Sequence, residues 1–314
     1  MSDTARLSRP VKCFSMFKRA LPHLITLSAA SFFWLPSSAA AAEGKKIVFI
    51  AGPPSHGPGE HEHRAGCLLL KSCLDQVPDL TSVVYSNGWP EDTAEAFKDC
   101  ATIVIYSDGG GGHPLLRDNR LKIIGELVNK GVGLVCIHYA VEPTKEKGEN
   151  EFLDWIGGCF ELNWSVNPTW AADIQRLPDH PITRGVNPFK IRDEWYFHMR
   201  FRNAMKGVTP ILSAVAPTST MDRKDGPHEG NPDVRASVKK AETQHLAWAF
   251  ERPNGGRGFG FTGGHYHETW ANDNARKVVL NAILWTARMN IPVTGLDSHV
   301  TREDLKKNLD VKSH

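Results

Sequence analysis

Histidines in the loops that follow short apolar runs are the residues of this 314-residue chain best suited to chemistry. His56, His113 and His138 each follow such a run. His265 follows a fourth, within the sequence GGHYHE. Imidazole is the usual zinc ligand in proteins and also titrates near neutral pH, so both metal binding and proton transfer are open to these residues. If the segment around His265 is extended, His267 points to the same side and adds a second ring.

Strands and helices that alternate along the first half of the chain must position these histidines. Strands are predicted at 46–51, 80–85, 102–106 and 131–137, and helices at 61–77, 91–98 and 117–129. This alternation is typical of right-handed βαβ units and predicts an α/β domain with a parallel sheet. Because ligands bind beyond the carboxyl ends of such strands, the histidines are predicted to converge at one edge of the sheet.

The second half of the chain adds a hairpin and a closing helix. A strand is predicted at 210–216, a loop at 221–234, paired strands at 244–250 and 258–262, and a helix at 274–289. No repeat or linker interrupts the body, which predicts one domain over residues 43–292 followed by a polar, peripheral tail at 293–314.

An aromatic-rich stretch, residues 152–201, separates the two halves. Tryptophan beside polar side chains is suited to stacking on a sugar ring, and Trp164, Tyr196 and His198 are the candidates for such contacts. The same aromatic residues are equally suited to form a hydrophobic core beneath this stretch, if it is a long excursion from the sheet. Residue types alone leave both interpretations open.

The first 42 residues have the three regions of a secretory signal peptide: basic residues, an apolar run and a stretch that ends in four alanines. We therefore expect a secreted or periplasmic protein. Residues 1–42 hold five of the 37 basic and one of the 35 acidic residues, which leaves 32 basic and 34 acidic residues in the mature chain. This balance argues against nucleic acid or an anionic membrane as the main partner.

Over residues 46–292 the chain resembles the ThuA-like (trehalose utilisation) family of the class I glutamine amidotransferase-like superfamily. The resemblance rests on the histidines of the first loop and on six segments: GLVCIHYA at 133–140, GGCF at 157–160, HPITRGV at 180–186, DEWY at 193–196, GFGFTGGH at 258–265 and ILWTA at 283–287 in the terminal helix. It implies a three-layer, flavodoxin-like α/β fold with a mostly parallel central sheet.

The superfamily comparison bears on the end of the fourth predicted strand. Glutamine amidotransferases of this superfamily carry their nucleophilic cysteine at a strand-to-helix elbow. In this chain His138 stands at the elbow, and Cys136 lies two residues earlier, inside the strand. The thiolate needed for glutamine hydrolysis is missing from its place, so that activity is not expected.

What the family resemblance implies is carbohydrate chemistry on a (3-keto-)glycoside, with a pathway link to a sugar dehydrogenase. A ketone at C3 acidifies the proton at C2, so cleavage or isomerisation calls for a base, an acid and a group that stabilises the enolate. We assign His138, Glu194 and His265 as catalytic residues. A divalent metal such as zinc is assigned to His113, His138 and His265, and no nucleotide cofactor is expected.

Other assignments remain open at this stage. His56, His61 and His267 are candidate substrate contacts, beside the aromatic candidates named above. A noncatalytic sugar-binding or scaffold module would also account for the aromatic stretch. A metal-dependent amide or ester hydrolase would use the same histidines, although the chain contains no His-Glu-x-x-His helix to favour it.

Overall fold

The computed structural model describes residues 44–312, and the predicted signal peptide lies outside the described residues. The strands are β1 (Lys45–Ala51), β2 (Leu80–Tyr85), β3 (Cys100–Tyr106), β4 (Gly133–Ile137), β5 (Gly158–Cys159), β6 (Thr169–Ile174), β7 (Phe189–Glu194), β8 (Arg200–Phe201), β9 (Val208–Val215), β10 (Thr243–Glu251) and β11 (Arg257–Phe261). The helices are α1 (His63–Leu74), α2 (Thr93–Phe97), α3 (Arg120–Asn129), α4 (Glu149–Trp155), α5 (Pro232–Lys239) and α6 (Asp273–Thr286).

One seven-stranded sheet, in the order β2-β1-β3-β4-β11-β10-β9, forms the centre of the molecule. Its first five strands are parallel to their neighbours, whereas β10 runs antiparallel to both β11 and β9. The predicted hairpin is therefore confirmed. The parallel strands carry β-branched and aromatic residues on both faces, as expected for a sheet covered on both sides.

The two faces of the sheet bury separate cores. In β1, Ile47 and Phe49 face a core that includes residues of α1 and α6, whereas Val48 and Ile50 face one that includes residues of α3 and α4. This alternation follows from the two-residue period of a strand. The predicted three-layer α/β fold with a mostly parallel central sheet is confirmed.

The excursion between β4 and β9 is built from two short antiparallel ribbons, β5 with β8 and β6 with β7. Most of its aromatic side chains are buried, among them Trp170, Trp195 and Phe197 in the core. The alternative in which these residues form a core is therefore the correct one. The excursion matters for function because β7 ends at Glu194 and leads to Tyr196.

Two helices are absent from the prediction. Helix α4 overlaps the start of the aromatic-rich stretch, and α5 lies at the end of the segment predicted as a loop. Helix α5 has only eight residues, of which Val234 and Val238 make its buried stripe, and Asn231 caps it by accepting from the amide of Val234. Such a short, mostly polar segment has too little apolar periodicity to be recognised in the sequence.

The tail packs on the loop that follows β1. The ammonium of Lys312 lies 3.2 Å from the carboxylate of Glu62, and both side chains are buried. Asp310 pairs with Arg64 on α1 and donates its backbone amide to Glu62. The last described residues therefore brace the start of α1. None of the helices within residues 44–312 is long and apolar enough to span a membrane.

Candidate functional site

Loops at the carboxyl ends of adjacent parallel strands bring the polar residues together. His61 lies in the loop after β1, His138 follows β4 directly, and His265 lies in the loop after β11. Glu194, the last residue of β7, reaches the same place from the excursion. These four side chains form one cluster, which we call the His–Glu centre.

Three imidazole nitrogens and one carboxylate oxygen of the His–Glu centre face one another. Nε2 of His61 is 3.0 Å from Nδ1 of His265 and 3.1 Å from Nε2 of His138. The facing nitrogens of His138 and His265 are 3.3 Å apart. One oxygen of Glu194 lies 3.2 Å from His265 and 3.5 Å from His138. The four atoms surround a common point.

The partners of the outward-facing ring nitrogens determine which nitrogen of each imidazole carries the proton. Nδ1 of His61 lies 2.7 Å from the Asp108 carboxylate, and Nδ1 of His138 donates to the carbonyl of Thr262 at 2.8 Å. Nε2 of His265 faces a Glu60 oxygen at 3.6 Å. Since the outer nitrogens of His61 and His138 have hydrogen-bond acceptors, their inner nitrogens present lone pairs, and the carboxylate of Glu60 favours the same tautomer at His265. Three lone pairs in contact repel unless a cation or a proton lies between them.

A divalent cation with tetrahedral coordination fits this geometry. Bonds of about 2.0–2.1 Å to nitrogen and oxygen place tetrahedral ligand atoms roughly 3.3–3.4 Å apart. Five of the six separations, at 3.0–3.5 Å, bracket that value, and the sixth, between His61 and Glu194, is longer but within 4.8 Å. The outer acceptors match the carboxylate or carbonyl groups that orient metal-bound histidines in known sites. The four residues could therefore hold zinc or a similar metal.

Burial keeps two of the rings neutral. It lowers the pKa of His61 to about 4 and the pKa of His138 well below its usual range, with further lowering at His138 from the two neighbouring rings. Neutral imidazole is the form that binds a metal. At His265 burial opposes protonation, but the hydrogen bond and charge of Glu194 outweigh it and raise its pKa. Without a metal, Glu194 therefore makes His265 easier to protonate than a free histidine.

The backbone of the site is held in unusual conformations. His61 and His138 have φ values of 43° and 56°, in the left-handed region that costs an ordinary residue about 1–2 kcal/mol. Asp193, which is fully buried, accepts from the backbone amides of Gly264 and His265 at 2.6 and 3.1 Å. The loop that carries His265 is thereby fixed to the end of β7.

A cavity of about 280 Å³ opens beside the His–Glu centre. Tyr196 lines it with its hydroxyl 3.1 Å from Nε2 of His138, and His56 lies at its rim with its ring 3.6 Å from that of His61. The volume is near the lower end of the roughly 300–1,000 Å³ typical of small-molecule sites. The remaining lining is polar: His61, Tyr139, Asn167, Glu194, Arg223, His228, Glu229 and His265.

A second acid–base pair, absent from the sequence-based assignments, lies at this cavity. Nε2 of His228 is 3.1 Å from both carboxylate oxygens of Glu142, which is buried. The hydrogen bond to Glu142 raises the pKa of His228, and burial raises the pKa of Glu142. His228 lies within the predicted loop 221–234, where no strand end or motif distinguishes it.

The assignment of His113 to the predicted metal site is wrong. The structure does not bring it to the His–Glu centre. Its ring is completely buried, with Nε2 donating to the carbonyl of Ala140 at 3.1 Å and Nδ1 accepting from the amide of Leu115 at 3.1 Å. Both ring nitrogens therefore hold the loop after β3 in place. His61, assigned from the sequence as a substrate contact, has the position given to His113.

Three predicted substrate contacts also lie elsewhere. His267 begins a 3₁₀ turn and lines a different cavity. The ring of Trp164 stacks on His198 at 4.2 Å and lies beneath the guanidinium of Arg200 at 4.1 Å. Neither Trp164 nor His198 lines the site cavity. The structure thus does not bring these residues to the site.

The elbow position is occupied as predicted by His138. Cys136 points from β4 into the core on the α3 side of the sheet and is fully buried, which raises the pKa of its thiol. A buried, protonated thiol two residues before the elbow is not placed as a nucleophile. The five cysteines of the described part are all free and buried.

A larger cavity of about 700 Å³ lies between α2 and α3. It is at the amino ends of β3 and β4, the edge opposite the histidines, and much of its lining is apolar, including Phe97, Ile123 and Leu127. Ligands of open α/β sheets bind beyond the carboxyl ends of the strands. We therefore assign the functional site to the smaller, polar cavity.

The fold is similar to those of proteins of known structure. A ThuA-like protein from Bacteroides uniformis has a TM-score of 0.53 and 17% sequence identity, with 80% of this chain and 95% of that chain covered. A glutamine amidotransferase from Thermotoga maritima has a TM-score of 0.41 and 8% identity, with 77% and 98% covered, a likeness too low to support any argument. The chain matches none of the curated proteins with which it was compared.

The three-layer fold with its mostly parallel central sheet, and the histidine at the elbow after β4, define the class as an α/β protein. Within that class, the model of the ThuA family, described as trehalose utilisation, matches residues 69–286. The chain belongs to the ThuA family. Membership suggests a carbohydrate-related role.

Proposed function

We propose that this protein is an exported enzyme that acts on glycosides oxidised at C3, at a divalent metal site formed by His61, His138, Glu194 and His265. The observation that supports it most strongly is the convergence of three imidazole lone pairs and one carboxylate oxygen, with five of their six mutual separations at 3.0–3.5 Å. When bound, a metal such as zinc supplies a Lewis acid for the carbonyl and hydroxyl oxygens of a substrate.

The chain's own residues give the site its orientation. Asn167 donates to the second oxygen of Glu194 at 3.2 Å and is itself held by Arg223 at 3.1 Å, so the carboxylate is fixed from the outside. The hydroxyl of Tyr196, next to His138, is aimed at the same region as the four inner atoms. Hydroxyl, amide and guanidinium groups around a small polar cavity are suited to the hydroxyls of a sugar.

A ketone at C3 explains why such a site is useful. It acidifies the C2 proton, and oxyanion character then develops on the carbonyl oxygen, where positive charge and hydrogen-bond donors stabilise it. The substrate must come from a dehydrogenase that oxidises the C3 hydroxyl, which agrees with the expected pathway link. Because the Cys136 thiol is buried and cannot reach a substrate, the proposal does not include glutamine amidotransferase chemistry.

Incubation of metal-depleted and zinc-reconstituted protein with a chemically oxidised disaccharide, followed by NMR of the products, tests the proposal. We expect turnover only in the reconstituted sample. Full activity in chelator, with no stoichiometric metal, would remove the metal from the proposal. Binding of the disaccharide without turnover would favour a noncatalytic sugar-binding module, and turnover of amide or ester substrates alone would favour a hydrolase.

A further inference from the structure

His228 lies on the cavity wall with the buried Glu142 behind it, and neither belongs to the four residues of the His–Glu centre. Glu142 follows the turn that begins at His138, so the elbow after β4 supplies one residue to each group. His228 comes from the loop before α5. Two independent segments thus place a second histidine beside the same cavity and a buried carboxylate behind its ring.

Glu142 has a burial that needs an explanation. Its side chain is 1% exposed, and within residues 44–312 its carboxylate oxygens form hydrogen bonds with His228 alone. A buried carboxylate costs several kcal/mol of stability unless it is well paired, and apolar residues of similar size often replace such pairs without loss. Folding alone does not require this pair.

His228 is held so that one ring nitrogen faces Glu142 and the other is available. The amide of Asn167 donates to the carbonyl of His228 at 3.0 Å, and that of Asn163 donates to Pro227 at 2.9 Å, so the loop backbone is fixed. The ring of Phe160 lies 5.2 Å from the imidazole. Nδ1 of His228 has no hydrogen-bond partner among the described residues, and the side chain is 31% exposed.

We propose that His228 is a catalytic residue that takes and returns a proton on the bound sugar, with Glu142 as its positioning residue. This inference rests on the proposed function. The arrangement is that of a histidine base oriented by a buried carboxylate through one nitrogen, with the other nitrogen directed to the substrate. It assigns proton transfer to a residue outside the metal ligands, whose inner nitrogens are occupied when a metal is bound.

The proton transfer balances without a co-reactant. Neutral His228 removes the C2 proton of a 3-keto-glycoside, and the electron pair of the C2–H bond forms a double bond between C1 and C2. The C1–O bond breaks, and its electron pair stays on the leaving oxygen. His228 then gives the same proton to that oxygen. The products are an unsaturated ketone and a free alcohol, and the imidazole returns to its neutral state.

The charges around His228 determine the pH dependence. The titratable and charged groups near its ring are Glu142 and Tyr139 of the elbow, Glu194 of β7, and Arg223 and Glu229 of its own loop. The hydrogen bond to Glu142 raises the pKa of His228. Because the step needs the neutral base, kcat should rise with pH through this pKa.

Two variants, His228→Gln and Glu142→Gln, test the assignment on the zinc-loaded protein with an oxidised disaccharide as substrate. We expect His228→Gln to lower kcat by about 10²–10⁴-fold with an unchanged metal content. Glu142→Gln removes the negative charge, so the rising limb of its pH–kcat profile should move to lower pH. His245→Gln, which changes a half-buried histidine of β10 bonded to Ser213, is the matched control and should retain activity.

A kcat for His228→Gln within about threefold of the wild type would overturn the assignment of His228 and leave the proposed function intact. A pH–kcat profile for Glu142→Gln that matches the wild type would likewise overturn the assignment of His228. The Glu142→Gln variant therefore tests that assignment even if His228→Gln does not fold. A wild-type protein that binds zinc but turns over no oxidised glycoside would overturn both the proposed function and the role of His228.

Discussion

At the residue scale, the positions of polar residues relative to apolar runs in the sequence identified part of the site. His138 and His265 could be predicted because each follows an apolar strand, and Glu194 because it lies in a segment shared with the family. The place of His61 in the His–Glu centre could not, since it lies several residues after β1 and has a left-handed backbone. His113 had the right position after a strand, but its ring points into the core.

Asp108 is predicted to control the metal affinity through His61. Its carboxylate accepts from Nδ1 of His61 at 2.7 Å and so directs the lone pair of Nε2 inward. An amide at this position accepts more weakly, and we expect Asp108→Asn to weaken zinc binding by about 10–100-fold. A competition titration with a chromophoric chelator measures the change.

Ser55→Ala is the control for this prediction, because Ser55 donates to Asp108 at 2.8 Å and leaves the carboxylate in place when removed. Its affinity should change far less than that of Asp108→Asn. Equal affinities for Asp108→Asn and the wild type would show that Asp108 does not orient His61.

At the element scale, the site depends on contacts between loops that sequence periodicity does not report. The strands β1 to β4 and the hairpin were predictable from apolar runs, and their order in the sheet follows from the fold class. The loop after β3 lies directly against the turn that carries His138, with Gly110 donating its amide to the carbonyl of Glu142 at 2.8 Å. Contacts of this kind position the elbow.

Gly109→Ala is expected to displace the elbow. A Cβ at residue 109 would lie 2.1 Å from the carbonyl oxygen of Tyr139 and 2.8 Å from that of Glu142, and backbone atoms cannot rotate away as a side chain can. We expect a loss of at least about 1–3 kcal/mol in the free energy of unfolding. Urea denaturation measures it, and zinc affinity should fall as well because His138 moves.

Gly111→Ala provides the matched control in the same loop, because a Cβ there has nothing within 4 Å. Its stability and zinc affinity should stay close to those of the wild type. If Gly109→Ala were equally stable, the close approach of the two loops would not determine the position of the elbow.

At the scale of the whole molecule, the fold class and the layers could be predicted, but the placement of the aromatic stretch and the tail could not. Trp195 and Phe197 were equally compatible with a sugar platform and with a core, and only packing decides between them. The burial of Lys312 against Glu62 joins the tail to α1 across some 250 residues of chain, a contact that no local pattern indicates.

Buried neutral histidines predict that the metal-free protein loses stability in mild acid. Burial lowers the pKa of His113 to about 4, whereas an unfolded histidine has a pKa near 6.5. Below pH 6.5 the unfolded chain takes up a proton that the folded chain excludes, so the free energy of unfolding falls as pH decreases toward about 4. One such residue accounts for up to about 3 kcal/mol.

The His113→Gln variant isolates this effect. Its free energy of unfolding in chelator, measured between pH 7.5 and pH 4.5, should be lower than that of the wild type at pH 7.5 but should fall less steeply below pH 6.5. Parallel curves for the two proteins would show that His113 takes up its proton equally well in the folded state.

The most direct test of the central claim is the zinc stoichiometry of three proteins after dialysis: wild type, His61→Ala and His113→Ala. The proposed metal site predicts about one zinc per chain in the wild type and in His113→Ala, and none in His61→Ala. A wild type that retains no divalent metal, or a His61→Ala variant that retains it while His113→Ala does not, would contradict the assignment of His61, His138, Glu194 and His265 as the ligands.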